Sequence, residues 1–367
     1  MSKLETMAHM YLFNPPHNWR RILAQNPPVL PRYWPRLIRM QASGWLVEPL
    51  RWREAREYHS VVAHTPVHPQ PIFIMGLWRS GTTHLHNLMG LDPNLGYATT
   101  LQCLAPSFVI KNQAIMRQLF ARLMPEHRPF DAVRVELDMP QEEEVAVANL
   151  TPHSYYNYWF FPRQIRPLYE KYMRLRTLTP KEYEEWRSAY LWVLRQTSYL
   201  QGGKPLVLKS PTNLTRVREL LKLFPEARFI EIIRRPLRTW LSYQHLQKVL
   251  LNMHRLEECD RHAMIQDELY VFTESMRQWL EEKSLIPSDR LVSVRYEDLV
   301  ADPVRELQRI YEALGLSTHD VLPRWQNYLA SIAGYQTNRL QASEEDARLA
   351  RQHFAFLYET GGYSPDW

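Results

Sequence analysis

The sequence predicts an α/β fold, a central parallel sheet flanked by helices, and three stretches carry that expectation. Ile72–Met75 is a short apolar run that breaks at Gly76, turns through Leu77 to Ser80, and passes Gly81 into the helically spaced Leu85, Leu88 and Met89. Leu206–Leu208, a helical pattern through Leu214, Val217, Leu220 and Leu221, and the run from Arg228 to Ile233 give strand, helix, strand within about 30 residues. Arg290–Arg295 supplies a further strand, followed by a helix capped at Asp302. Apolar runs without alternation suit strands buried on both faces, which is the habit of parallel sheets. A strand–helix–strand connection of this length is a right-handed crossover.

The 367 residues have room for one large domain or two modest ones. A hydrophobic fraction of 45% and a charged fraction of 23% are ordinary for a soluble enzyme. The net charge of +6 favours anionic ligands, but Lys and Arg form no run, which argues against nucleic acid. Cys103 and Cys259 make neither a disulfide framework nor a metal spacing, so a reduced, cytoplasmic setting is expected. The N-terminus lacks the apolar core and cleavage site of a secretory signal, and no apolar run approaches membrane-spanning length.

Residues 1–68 are rich in Pro, Trp, Tyr and Arg, and an aromatic cap of short helices broken by prolines is expected there. Trp19, Tyr33, Trp34, Trp45 and Trp52 stand beside Arg20, Arg21, Arg36 and Arg39, which suits either a peripheral membrane contact or packing over the rest of the protein. No clean amphipathic period survives the prolines, which favours packing.

Four residues separate Gly76 from Gly81, the spacing of a phosphate loop. The N–H groups of such a loop and of the following first helical turn lack helix partners, and the helix dipole adds positive potential there. A nucleoside-triphosphate loop needs Lys after the second glycine; here Thr82 stands there and the cation comes earlier, as Arg79. The loop suits a phosphate without the triphosphate-and-magnesium apparatus. An ordinary strand-to-helix turn is the plain alternative.

Leu91–Asn94 carries turn chemistry, and residues 99–204 read as a largely helical insertion. Glu142, Glu143 and Glu144 open a predicted helix; the dipole favours acids there, and one of them is also a candidate general base. The run Tyr155–Phe161 suits an apolar pocket wall or core equally. Thr179–Glu182 reads as a capping box, and Gly202 and Gly203 end that helix. Lys209 closes one strand; Arg234 stands at the carboxyl end of another, where open α/β sheets bind ligands. Ser242 follows two turns into the next helix, Tyr296 sits just past the last strand, and Asn338-Arg339 in the tail are within reach of a phosphate in one reading and a solvated loop in the other.

These residues resemble the sulfotransferases that use 3′-phosphoadenosine 5′-phosphosulfate. Arg79-Ser80-Gly81-Thr82-Thr83 resembles their 5′-phosphosulfate loop, and the spacing from Arg234 to Ser242 resembles their 3′-phosphate site. Arg295–Leu299 with Asp302-Pro303 resembles a third segment of the family, so the likeness covers roughly residues 70–100 and 205–316. It implies a P-loop-like sheet, residues 69–367 as the sulfotransferase domain, and the phosphosulfate as co-substrate with no metal. It also implies transfer to a hydroxyl of a small alcohol, phenol or lipid-like acceptor with apolar surface.

Lys209 is then the group at the sulfonate and bridging oxygen, and Arg79, Ser80, Gly81, Thr82, Thr83, Arg234, Ser242 and Tyr296 bind the nucleotide. The family's two familiar bases do not carry over. Where animal cytosolic members have His, this chain has Pro211, and where protein-tyrosine members have Glu it has Ala98-Thr99-Thr100. Glu142 and Glu143 remain the favoured bases, ahead of Glu144, His84 and His86, and a Pro-Gln-Glu segment resembles the bacterial branch. A kinase-like phosphotransferase and a non-catalytic nucleotide-binding module are the rival readings.

Overall fold

The computed structural model describes residues 11–123, 136–332 and 340–365. The chain folds into two compact units, one of Met1–Val67, Tyr97–Gly203 and Lys248–Glu268, the other of His68–Gly96, Lys204–Gln247 and Leu269–Trp367.

The second unit holds the sheet. Strands β1 (Ile72–Met75), β2 (Val207–Lys209), β3 (Arg228–Ile233) and β4 (Leu291–Arg295) lie in the order β2-β1-β3-β4, all parallel. Every residue of β1 and β2 is buried, as their unbroken apolar runs require. On the edge strand β4, Val292 and Val294 point inward while Ser293 and Arg295 are exposed. Val292 and Val294 meet Ile230, Ile232, Leu85, Leu88, Leu307 and Ile310 in one core.

Strand β2 runs one residue later than the apolar pattern suggests, which makes Lys209 its last residue and pairs it with Ile74. The helix after it is also shorter than its pattern. Pro211–Thr215 forms a tight 3-10 turn, and the α-helix covers only Val217–Leu223, because Arg216 leaves helical geometry at φ −121°.

Trp325 closes this core from the helix Leu322–Ser331. Its ring meets Tyr311 edge-on at 4.9 Å and its Nε1 donates to the Leu88 carbonyl at 2.9 Å. Trp325→Phe removes that donor and leaves a small void, so a loss of about 1–3 kcal/mol in unfolding free energy is expected by denaturant titration.

In the first unit, the aromatic cap differs from its expectation. The helices Pro16–Ala24, Trp34–Leu46 and Glu48–His64 start at prolines rather than break at them. Pro16, Pro35 and Pro49 each occupy the first or second helical position, where no backbone N–H is needed. The helices Pro16–Ala24 and Trp34–Leu46 therefore keep distinct buried and exposed sides, with Trp19 and Ile22 buried on the first and Met40 and Gly44 on the second. Trp19 is fully buried, but Trp34, Trp45 and Trp52 are not packed.

The helix Pro180–Leu200 begins with the Thr179–Glu182 capping box, and Gly202 and Gly203 after it both take left-handed φ. Tyr155–Phe161 is buried throughout as core, with Tyr156 stacked on Trp159 at 4.3 Å and Tyr155 on Tyr158 at 4.6 Å. Among the described residues no helix is long and apolar enough to cross a membrane.

Candidate active site

Strand β1 ends at Met75 and the helix Thr82–Met89 begins after six intervening residues, so Gly76–Gly81 must turn sharply. A Cβ on Gly76 would lie 2.6 Å from Ser80 Oγ and 2.8 Å from the Ile232 carbonyl, so only glycine lets the loop fold back there. Arg79 takes φ 71° and Gly81 φ 103°. A left-handed arginine is uncommon, and strain of this kind persists where surrounding contacts fix it. Such alternation points successive N–H groups to one side, the geometry of an anion cradle.

The contacts fixing Arg79 come from the two other segments singled out in the sequence. Arg79 Nε donates to Ser242 Oγ at 2.9 Å, and Arg234 Nη1 donates to the Arg79 carbonyl at 3.1 Å. The Arg234 guanidinium lies over the Tyr296 ring, 4.4 Å from its centroid. Tyr296 in turn covers the loop, since a Cβ on Gly81 would lie 2.2 Å from its Cδ2. Arg79, Gly81, Arg234, Ser242 and Tyr296 are thus one contiguous group. Burial lowers the Arg234 pKa, yet arginine titrates so high that the charge persists.

Lys209 is buried at 2% exposure, and its Nζ donates to Thr83 Oγ1 at 3.3 Å. Pairing of β2 with β1 sets it beside the Gly76–Gly81 loop. Thr82 is buried, with its methyl against the Gly76 backbone, and Ser80 Oγ donates to the Leu77 carbonyl at 2.9 Å. So Ser80 and Thr82 shape the loop, whereas Thr83 and Lys209 face each other.

Among the candidate bases, His86 is fully buried with Nε2 3.2 Å from the Val207 carbonyl. Burial, with Lys209 nearby, pulls its pKa down to about 3, so it stays neutral and cannot accept the acceptor's proton. His84 is half-buried, and burial lowers its pKa also.

Glu142 precedes the helix Glu143–Ala148 in the first unit, half-buried, and accepts a hydrogen bond from the Tyr156 hydroxyl. Glu143 is 1% exposed, and Glu144, fully buried, accepts from Ser154 Oγ at 2.8 Å. Asn338-Arg339 lie outside the described residues.

Two carboxylates near the loop escaped the sequence reading. Glu297 accepts from the Arg235 N–H at 3.1 Å and from the Tyr363 hydroxyl at 2.6 Å, tying the C-terminal segment to the end of β3. Glu231, buried in β3, accepts from Trp279 Nε1 and from Ser293 Oγ at 2.6 Å. The acidic pair Glu297-Asp298 gave a local hint of the first; nothing local marks the second.

The model of the sulfotransferase family matches residues 71–320 of this chain. The omega-hydroxy-beta-dihydromenaquinone-9 sulfotransferases of Mycobacterium bovis and Mycobacterium tuberculosis are each 34% identical to it over 307 residues, 82% of this chain and 77% of theirs. In fold it is similar to the crystal structures of two further sulfotransferases. One, from Mycobacterium avium, has a TM-score of 0.68 at 20% identity and covers 95% of this chain and 92% of that one. The other, from Mycobacterium tuberculosis, has a TM-score of 0.66 at 20% identity and covers 93% of both.

Proposed function

The chain belongs to the sulfotransferase family, and from that premise we propose that it moves a sulfonate from 3′-phosphoadenosine 5′-phosphosulfate to the hydroxyl of a lipid-like alcohol. The observation that carries this reading is the contiguous group joining the Arg79 loop, Arg234, Ser242 and Tyr296. It offers a cradle for the 5′-phosphosulfate and a separate cation and hydroxyl for a 3′-phosphate, with no lysine in the position that serves a triphosphate. The acceptor class comes from the relatives, whose name specifies an omega-hydroxylated quinone lipid. Such an acceptor would bring the enzyme to a membrane surface, and a chain with two cysteines and no disulfide framework in its spacing suits the cytoplasmic side.

In this reaction the acceptor oxygen attacks sulfur and the bond from sulfur to the phosphate oxygen breaks. Charge develops on the departing adenosine 3′,5′-bisphosphate. Loop N–H groups, Arg79 and Thr83 stabilise it, and Lys209 donates to the sulfonate and bridging oxygen. Glu142 takes the acceptor proton. It is preferred to Glu143 because its side chain is half-buried where that of Glu143 is enclosed.

Two variants separate these roles. Glu142→Gln should lower kcat by about 10²-fold or more while bisphosphate affinity is kept. Arg234→Ala should weaken adenosine 3′,5′-bisphosphate binding by about tenfold or more, and adenosine 5′-phosphate binding much less. Titration calorimetry with both nucleotides reads the difference; equal losses for the two would remove Arg234 from the 3′-phosphate site. Stabilisation by ATP with magnesium alone would favour a kinase instead.

A further inference from the structure

The helix Trp34–Leu46 is held by one side. Met40 and Gly44 are buried, and a Cβ on Gly44 would lie 2.5 Å from the Asn14 carbonyl, so this side is packed closely. Arg36 anchors the helix laterally, donating to the carbonyls of Arg255 at 2.7 Å and Asn252 at 3.2 Å. The opposite side is apolar and open. Trp34, Ile38, Trp45 and Leu46 are 53%, 62%, 63% and 80% exposed, and Trp52 on the next helix is 74% exposed. At 100° per residue, Trp34, Ile38 and Trp45 fall within about 40° of one another, with Leu46 and Arg39 about 100° further round. Among the described residues every exposed tryptophan lies between positions 34 and 52, so these are not scattered surface hydrophobics.

Charge selects the occupant. Residues 11–64 contain eight Arg and no Lys against three Glu and no Asp; Glu185 and Glu258 pair with Arg21 and Arg32, which leaves an excess of three positive charges. Arg39, Arg53 and Arg56 are themselves exposed. Indole rings settle at the headgroup level of a bilayer, and arginines beside them reach lipid phosphates. We propose that this face, Trp34, Ile38, Trp45 and Leu46 continued by Trp52, docks the protein on an anionic membrane surface. The placement stands on exposure and charge, independent of the acceptor's identity; a membrane-resident acceptor would give it a use.

The test is co-sedimentation of the full chain with phosphatidylcholine vesicles, with and without phosphatidylglycerol, followed also by tryptophan emission. Binding to the anionic vesicles is expected, about tenfold or more weaker on neutral ones and falling with salt. Trp34→Gln/Ile38→Gln/Trp45→Gln should lose about tenfold or more of that affinity, with melting temperature and bisphosphate binding retained. Arg39→Gln/Arg53→Gln/Arg56→Gln should weaken only the anionic component. Absence of binding to anionic vesicles would overturn the proposal. So would a triple tryptophan–isoleucine variant that binds as the parent does, or a dimer in sedimentation velocity that this variant dissolves while vesicles are ignored. The assay uses neither sulfonate donor nor acceptor, so its failure is distinct from failure of the sulfotransferase reading.

Discussion

Replacing Lys209 with alanine is expected to lower kcat by about 10²–10³-fold, the loss typical of one donor aimed at developing charge. Bisphosphate affinity should change little, because the nucleotide cradle proposed above is the Arg79 loop and Arg234. Lys209 is 2% exposed, donates to Thr83 Oγ1 at 3.3 Å, and ends β2 beside the loop. A cation held there meets the transferring group without first being desolvated. Lys209→Arg should not rescue the activity, since the longer planar fork has no room in so buried a place. Steady-state rates at saturating donor, with calorimetric titration of the bisphosphate, separate turnover from binding. Unchanged turnover in Lys209→Ala would remove this lysine from the catalytic step.

Gly81→Ala should cost both stability and nucleotide affinity. The φ of 103° is unfavourable to any side chain, and the new Cβ would lie 2.2 Å from Tyr296 Cδ2. The ring must then move, which lifts it from Arg234 and opens the phosphate cradle. A loss of about 2 kcal/mol or more in unfolding free energy and about tenfold or more in bisphosphate affinity is expected. Gly203→Ala is the control, because Gly203 has φ 76° but nothing within 4 Å of a Cβ. It should show backbone strain alone and bind nucleotide as the parent does. Equal effects from the two would mean that the Tyr296 contact does not matter.

What was legible in the sequence was local. Strand β1, the Gly76–Gly81 loop and the Thr179–Glu182 capping box each declare themselves within a few residues, through apolar period, glycine spacing or side-chain caps. The residues that gather around this loop were singled out on similar local grounds, Arg234 following β3 and Tyr296 opening a helix, while Ser242 was placed only by its spacing from Arg234. The N-terminal segment misled because proline has two meanings. Pro35 and Pro49 look like breaks in the chain but sit in first turns, where they start helices.

The base was not legible, since three acids in a first turn are explained equally by the helix dipole and by catalysis. Burial separates them only in part, by enclosing Glu143 and Glu144 and leaving Glu142 more open. The Tyr363–Glu297 contact joins residues 66 apart and has no local signal. The interleaving of Tyr97–Gly203 and Lys248–Glu268 with the N-terminal segment in one unit is likewise a long-range property.

The central claim is the transfer itself. The purified chain should be incubated with 3′-phosphoadenosine 5′-phosphosulfate and an omega-hydroxylated isoprenoid alcohol in detergent, with ATP and magnesium as the parallel donor. Products are then identified by mass. An acceptor heavier by one sulfonate, with equimolar adenosine 3′,5′-bisphosphate, is the expected result. Unmodified acceptor with the phosphosulfate and phosphorylated acceptor with ATP would contradict it.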